Sequence, residues 1–264
     1  MLTAVKNQVR VCVLSIKYNI MREMLNKVTF LTNICFMALN NAAFIIQWVI
    51  LFHLKKDIGG YTMKEVMLLW GLAASTFGLA CILFDRAFSL PDLIISGKLD
   101  AYLVMPKNVL LSVITSSTNT SAIGDFLYGI LVMCIFSFSV GRFFLFLLFS
   151  ATGAVIITAF ALMMGSLSFW FVRAELFGDN MVNCVISFAT YPDGIFHGKV
   201  RFLLYNIIPV GMTVYQPVHI MMHFDLGSLL TVLGYAILIS AAAVFVFYRG
   251  LRRYSSSSLT AARM

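Results

Sequence analysis

The sequence predicts an all-α integral membrane fold, on three observations. Hydrophobic residues fill 61% of its 264 positions and charged residues 11%, whereas a soluble domain carries about 25% charge. Mean hydropathy is +0.92. The apolar residues form continuous runs near the ~20 residues that cross the hydrocarbon, not the ~10-residue alternating segments of an outer-membrane barrel. A helix satisfies its own backbone hydrogen bonds in lipid, so a single membrane domain over residues 1–264 is expected.

Taken in order, "VKNQVRVCVLSIKYNIMREMLNKVTF" places Val9, Val13, Ile16, Ile20 and Met24 at three- and four-residue steps. Arg10, Lys17 and Arg22 lie off that stripe, which predicts an interfacial amphipathic helix within residues 1–28, its basic side on lipid headgroups. Six spans follow at roughly 29–54, 65–84, 110–140, 143–171, 177–191 and 228–248. The fifth is short. Residues 191–227 are aromatic but interrupted by Pro192, Pro209 and Pro217, a pattern that suits re-entrant or interfacial helices packed against protein. "SSSSLTAARM", with no apolar period, predicts a disordered end to a tail over 251–264.

Lys and Arg placement sets the orientation. With the N-terminus inside, thirteen basic residues fall on the cytoplasmic side and six (Lys55, Lys56, Lys64, Arg142, Lys199, Arg201) on the other. Both termini are therefore expected in the cytoplasm, together with the loop after the second span. The N-terminus lacks a short apolar stretch ending in small residues, so no secretory signal is expected. A net charge of +8 sits at the ends of apolar runs, where it serves topology, and this argues against a nucleic-acid partner. Cys12, Cys35, Cys81, Cys134 and Cys184 have no paired spacing and read as small buried apolar residues.

That cytoplasmic loop, "SLPDLIISGKLDAYLVMPKN", is punctuated as if built. Ser89 and Asp92 have capping-box spacing, Pro91 is acceptable in a first helical turn, and Gly97 supplies a left-handed C-cap. A helix over 90–96 is expected, then a second in "KLDAYLVM" that stops before Pro106. Two stiff helices on this face make either a docking surface or an ordinary folded loop.

Motifs for chemistry are sparse. "GIFHGK" (194–199) has three residues between glycines where a phosphate loop needs four, and valine where Ser or Thr is required. His219 and His223 stand at i, i+4 with Asp225 nearby, a zinc-compatible spacing without the glutamate of HExxH. Asp125 is the carboxylate expected at membrane depth, where such groups are expensive and usually partnered. With Ser121 and Thr118 of "TSSTNTS" beside it, it is a candidate polar group of a pathway. An ion pair between Arg173 and Glu175 is expected at the end of the fourth span. "GLAASTFG" (71–78) supplies small residues for close helix approach.

Together, "LPDLIISGKLDAYLVMPKNVLL" and "YPDGIFHGKVRFLLYNIIPVGMTVYQP" resemble one branch of the type-2 ATP-binding-cassette (ABC) permeases, whose cytoplasmic loop carries G-x-L-D-x-x-L-x-x-P. Met105 stands where that family usually has Arg. The resemblance covers most of the chain and implies a bacterial inner-membrane exporter subunit for a hydrophobic or amphipathic substrate. It implies that Leu90, Leu93, Ile94, Gly97, Leu99 and Asp100 contribute to contact with a cytoplasmic ABC ATPase subunit. That subunit binds the ATP and Mg, leaving this chain without a cofactor. A second permease chain, identical or different, is expected to complete the path. The alternatives left open are a membrane metalloenzyme built on His219, His223 and Asp225, and a proton-coupled secondary carrier using Asp125.

Overall fold

The structure, a computed structural model, describes residues 2–171 and 174–254. The expected Arg173–Glu175 ion pair and the tail at 255–264 lie outside the described residues. Helices follow one another along the chain, with one isolated bridge between Ile58 and Tyr61. Among the described residues, four helices are long and apolar enough to span a membrane: α2 (Lys27–Leu54), α3 (Met63–Phe84, its helical run continuing to Ile95), α8 (Val140–Ser166) and α12 (Leu226–Leu251).

The interior is built on α3 and α8, and α2 and α12 lie at the periphery. Lipid tails are as apolar as leucine, so helices in a bilayer associate through close packing, and "GLAASTFG" provides it. A Cβ on Gly129 of α7 (Ala122–Ser137) would collide with the Gly71 carbonyl and the Ser75 hydroxyl of α3. At that separation Ser75 Oγ donates to the Phe126 carbonyl at 3.0 Å. The other side of α7 rests at Gly124 on the α2 backbone around Ile34 and Ala38, so α7 is wedged between α2 and α3. On α12, Val232, Ala236, Ile239, Ala243 and Phe247 recur at helical spacing and are buried, and Gly250 admits the Phe169 ring.

Six unbroken spans are not what the chain forms. The run expected at 110–140 divides into α6 (Val109–Ile114) and α7. Between them "TSSTNTS" uses its side chains against helical backbone. Thr115 Oγ1 donates to the Leu111 carbonyl and Ser116 Oγ to that of Val113, while Asn119 Oδ1 accepts the Ser121 N–H. Ser, Thr and Asn compete with helix in this way. The break is anchored where the Asn119 N–H donates to the Cys81 carbonyl and Ser117 Oγ donates to Asp85. The fifth run forms α9 (Ala174–Phe188), whose 15 residues reach only about 22 Å at 1.5 Å each.

The N-terminal α1 (Leu2–Glu23) touches the chain with a face one residue off its apolar stripe. Gln8 Oε1 accepts the Asn108 N–H at 3.0 Å and Ser15 Oγ donates to the Thr115 carbonyl at 2.8 Å. Val9, Val13 and Met24 of the stripe stay exposed. Of the cysteines, which are all free, only Cys81 is buried, and Cys35 and Cys134 face outward. The expectation of buried apolar cysteines fails at those two, because both stand on the outward faces of apolar helices.

The Gly71–Gly129 contact gives a stability test. Gly129→Ala forces α3 and α7 apart, an overpacking change of about 1–3 kcal/mol, and lowers the thermal melting point of the purified protein. Gly141→Ala, whose Cβ meets nothing within 4 Å, leaves it in place and serves as the control.

Candidate functional site

Three regions concentrate polar chemistry. The first is the loop after α3. Its helix α4 (Leu90–Ile95) is shorter than expected by one residue, and its Ser89 side chain makes no capping hydrogen bond. The expected capping box therefore does not form; Ser89 has φ −113° and ψ 23°, not the extended backbone an N-cap needs. The stop is as expected. Gly97 has φ +72°, a region that favours glycine, and the Leu99 N–H folds back to the Leu93 carbonyl at 3.2 Å. A single turn, α5 (Asp100–Leu103), follows.

Leu90, Leu93, Ile94 and Leu99 are buried in the chain's own core, with Leu90 and Pro91 lying against Gly165 of α8. These four side chains therefore shape the loop and present no surface. Its outward face carries Asp92, Ser96 and Lys98, with Gly97 and Asp100 half-buried. The apolar tip Leu103, Val104 and Met105 is exposed.

The second region is a half-open cavity of about 390 Å³ lined by α2, α3, α7, α8, α9 and the segment after α9. Asp125, 3% exposed, lines it, and its Oδ1 accepts a hydrogen bond from the Asn41 side-chain amide of α2. Oδ2 is buried with no protein partner. Aromatic wall comes from Phe44, stacked at 4.5 Å on Trp70, and from Phe77 and Tyr191. Ser121 and Thr118 do not line this cavity. Ser121 is engaged with Asn119, and both belong to the break before α7. The polar partner expected from the neighbouring Thr/Ser run is supplied instead by Asn41.

The third region lies at the opposite end of the bundle from the loop, and its organising residue, Asp193, was missed in the sequence reading. Asp193 Oδ1 accepts the Tyr61 hydroxyl at 2.8 Å; Oδ2 accepts the Tyr205 hydroxyl at 2.7 Å and Arg201 at 2.9 Å. Tyr61 belongs to the tight hairpin after α2, where Gly59 and Gly60 both take positive φ, as a two-residue turn of this kind demands. The Gly194 backbone stacks directly on that of Gly59. Burial, and then the hydrogen bond to Asp193, raises the pKa of the Tyr61 and Tyr205 hydroxyls. They remain proton donors at physiological pH. The only visible signal was the Y-P-D string followed by Arg and Tyr at eight and twelve residues.

Around this carboxylate the segment folds into α10 (Gly198–Asn206), a π-helical turn at Gly211–Tyr215 and α11 (Gln216–Met222). The prolines fall at element boundaries, as the sequence suggested. Arg142, just inside α8, ties the segment down by donating to the Met221 carbonyl at 3.2 Å. His219 and His223 border a small hollow next to Glu65, but Asp225 is the N-cap of α12 and accepts the Ser228 N–H at 2.7 Å. Those hydrogen bonds from Ser228 lower its pKa. Among the described residues no three His, Cys, Asp or Glu side chains gather into a metal site. The metalloenzyme reading loses the third ligand it was built on.

A family model described as ABC-2 family transporter protein matches residues 38–258. Neither a curated protein nor a solved structure gives a match.

The Asp193 cluster gives a second test. Arg201 is 54% exposed, so solvent screens its share. The two tyrosine bonds, about 1.5–3 kcal/mol each to a charged acceptor, dominate. Asp193→Ala is expected to accelerate hydrogen–deuterium exchange across residues 191–206 while leaving α8 protected. Unchanged exchange there refutes its organising role.

Proposed function

Because the chain belongs to the ABC-2 family and is a permease component of an ABC transporter, we propose that it is the membrane half of an ATP-driven exporter. A separate cytoplasmic ATPase subunit supplies ATP hydrolysis with its bound Mg, and this chain carries no ATP site. The observation that carries the reading is the loop at 85–109. A surface of Asp92, Ser96, Lys98 and the Gly97–Asp100 turn is mounted on a buried apolar base, stiff enough to be pushed as a unit. Leu90, Leu93, Ile94 and Leu99 contribute to the ATPase contact by holding that surface in shape. Gly97 and Asp100 contribute by touching.

In this reading α2, α3, the α6–α7 pair, α8, α9 and α12 make six membrane passes in a bacterial inner membrane, with both termini cytoplasmic. Thirteen against six basic residues support that orientation. The α1 stripe of Val9, Val13, Ile16 and Ile20 lies in the inner leaflet, and the 191–227 segment caps the outer end. A second permease chain completes the path. The cargo is hydrophobic or amphipathic, in keeping with the aromatic lining of the cavity.

Purification of the tagged chain from its native membrane tests the reading. An ATPase subunit is expected to accompany the wild-type chain. Gly97→Pro, which a φ of +72° excludes, and Asp100→Arg are each expected to reduce its recovery at least tenfold with melting behaviour retained. Recovery of the chain without any ATPase, fully active alone in vesicles, overturns it.

A further inference from the structure

Deepening the proposed export function, we propose that the 390 Å³ cavity is a binding site for a lipophilic cation, an aryl- or alkyl-substituted ammonium or phosphonium, with Asp125 as its counter-charge. Its volume falls within the ~300–1,000 Å³ of small-molecule sites.

Three observations converge. First, Asp125 stands inside the bundle on α7, 3% exposed, and a carboxylate at membrane depth is rare and partnered. The chain gives it one neutral donor, Asn41, and leaves Oδ2 buried without one. Second, among the described residues the lining contains no Lys, Arg or His, and Asp125 is its only carboxylic acid. A buried carboxylate that no cation of the chain neutralises is complementary to a positive ligand. Third, the walls offer aromatic faces. Phe44 and Trp70 pack with ring centroids 4.5 Å apart, and Phe77 and Tyr191 also line the cavity. A desolvated cation over such rings gains about 2 kcal/mol or more, while its apolar substituents meet Ile157, Val185 and Val214.

The same geometry sets the selectivity. An anion of the same shape meets Asp125 as a like charge, and a neutral analogue leaves Oδ2 as it was. Asn41 acts as a positioning residue: its amide holds Oδ1 and leaves Oδ2 without a donor from the protein.

Equilibrium binding tests the site without ATP. The full chain, together with any ATPase that accompanies it, is placed in phosphatidylcholine nanodiscs, with empty discs as background. Radiolabelled tetraphenylphosphonium and its near-isosteric anion tetraphenylborate are the probes. The expected result is saturable binding of the phosphonium alone, weakened at least tenfold in Asp125→Asn and retained in Asp125→Glu. Equal affinity of Asp125→Asn for the phosphonium overturns the proposal. Should that variant fail to fold, comparison of the two probes on the wild-type chain decides: binding of the borate as tightly as the phosphonium also overturns it. Loss of the ATPase during purification bears on the export reading and leaves the binding measurement intact.

Discussion

The backbone contact between α3 and α7 is the constraint from which the rest of the bundle follows. Gly71 and Gly129 bring the two helices so close that a side chain at Gly129 would collide with the α3 backbone, and one at Gly71 would be tight against the Gly129 carbonyl. In lipid this closeness replaces the hydrophobic drive that packs a soluble core. It also lets Ser75 reach the Phe126 carbonyl. With α7 fixed on α3, its opposite side meets α2 at Gly124, and α2 brings Asn41 to Asp125. The cavity wall is thus a consequence of where two glycines stand.

The two deeply buried carboxylates are treated in opposite ways. Asp193 receives three donors, from Tyr61, Tyr205 and Arg201, and a carboxylate so saturated is a structural clasp. It joins the α2–α3 hairpin to the segment after α9, elements far apart in sequence. Asp125, which lines the cavity, receives one neutral donor and has its other oxygen buried without a protein partner. A buried polar atom without a partner is costly, and at Asp125 a single hydrogen bond from Asn41 is all that the protein sets against that cost.

What could be read from the sequence followed from local rules. The membrane class came from composition. Close approach at "GLAASTFG" came from residue size, and the stop at Gly97 from the one residue that tolerates a positive φ. Proline marked the boundaries after α9. What escaped depended on partners distant in the chain. Tyr61 lies 132 residues from Asp193, and Asn41 lies 84 from Asp125, separations that no spacing rule covers. The break at 115–121 was visible as "TSSTNTS", but the apolar runs on both sides averaged it into one span. That Leu90, Leu93 and Ile94 turn inward onto their own chain was not legible, because a short apolar helix in a loop looks the same whether it docks on a partner or on its own chain.

That inward face bears on how the loop and the cavity are connected. α8 lies under the loop at Gly165, where Leu90 and Pro91 rest, and it lines the cavity at Ile157. Eight residues of continuous helix separate the two, about 12 Å. Halfway along the bundle, Gly153 packs against Thr76 of α3 and the Thr213 carbonyl of the capping segment. Protein interiors packed to this density resist compression and shift as blocks. In the export reading, a force on the outward residues of the loop would pass through Leu90 into α8 and reach the cavity wall and the 191–227 segment together. A flexible linker in the same place would absorb it. The burial of Leu90, Leu93, Ile94 and Leu99, which removes them from the surface, gives the surface above them a packed base, and this is what the export reading requires of it.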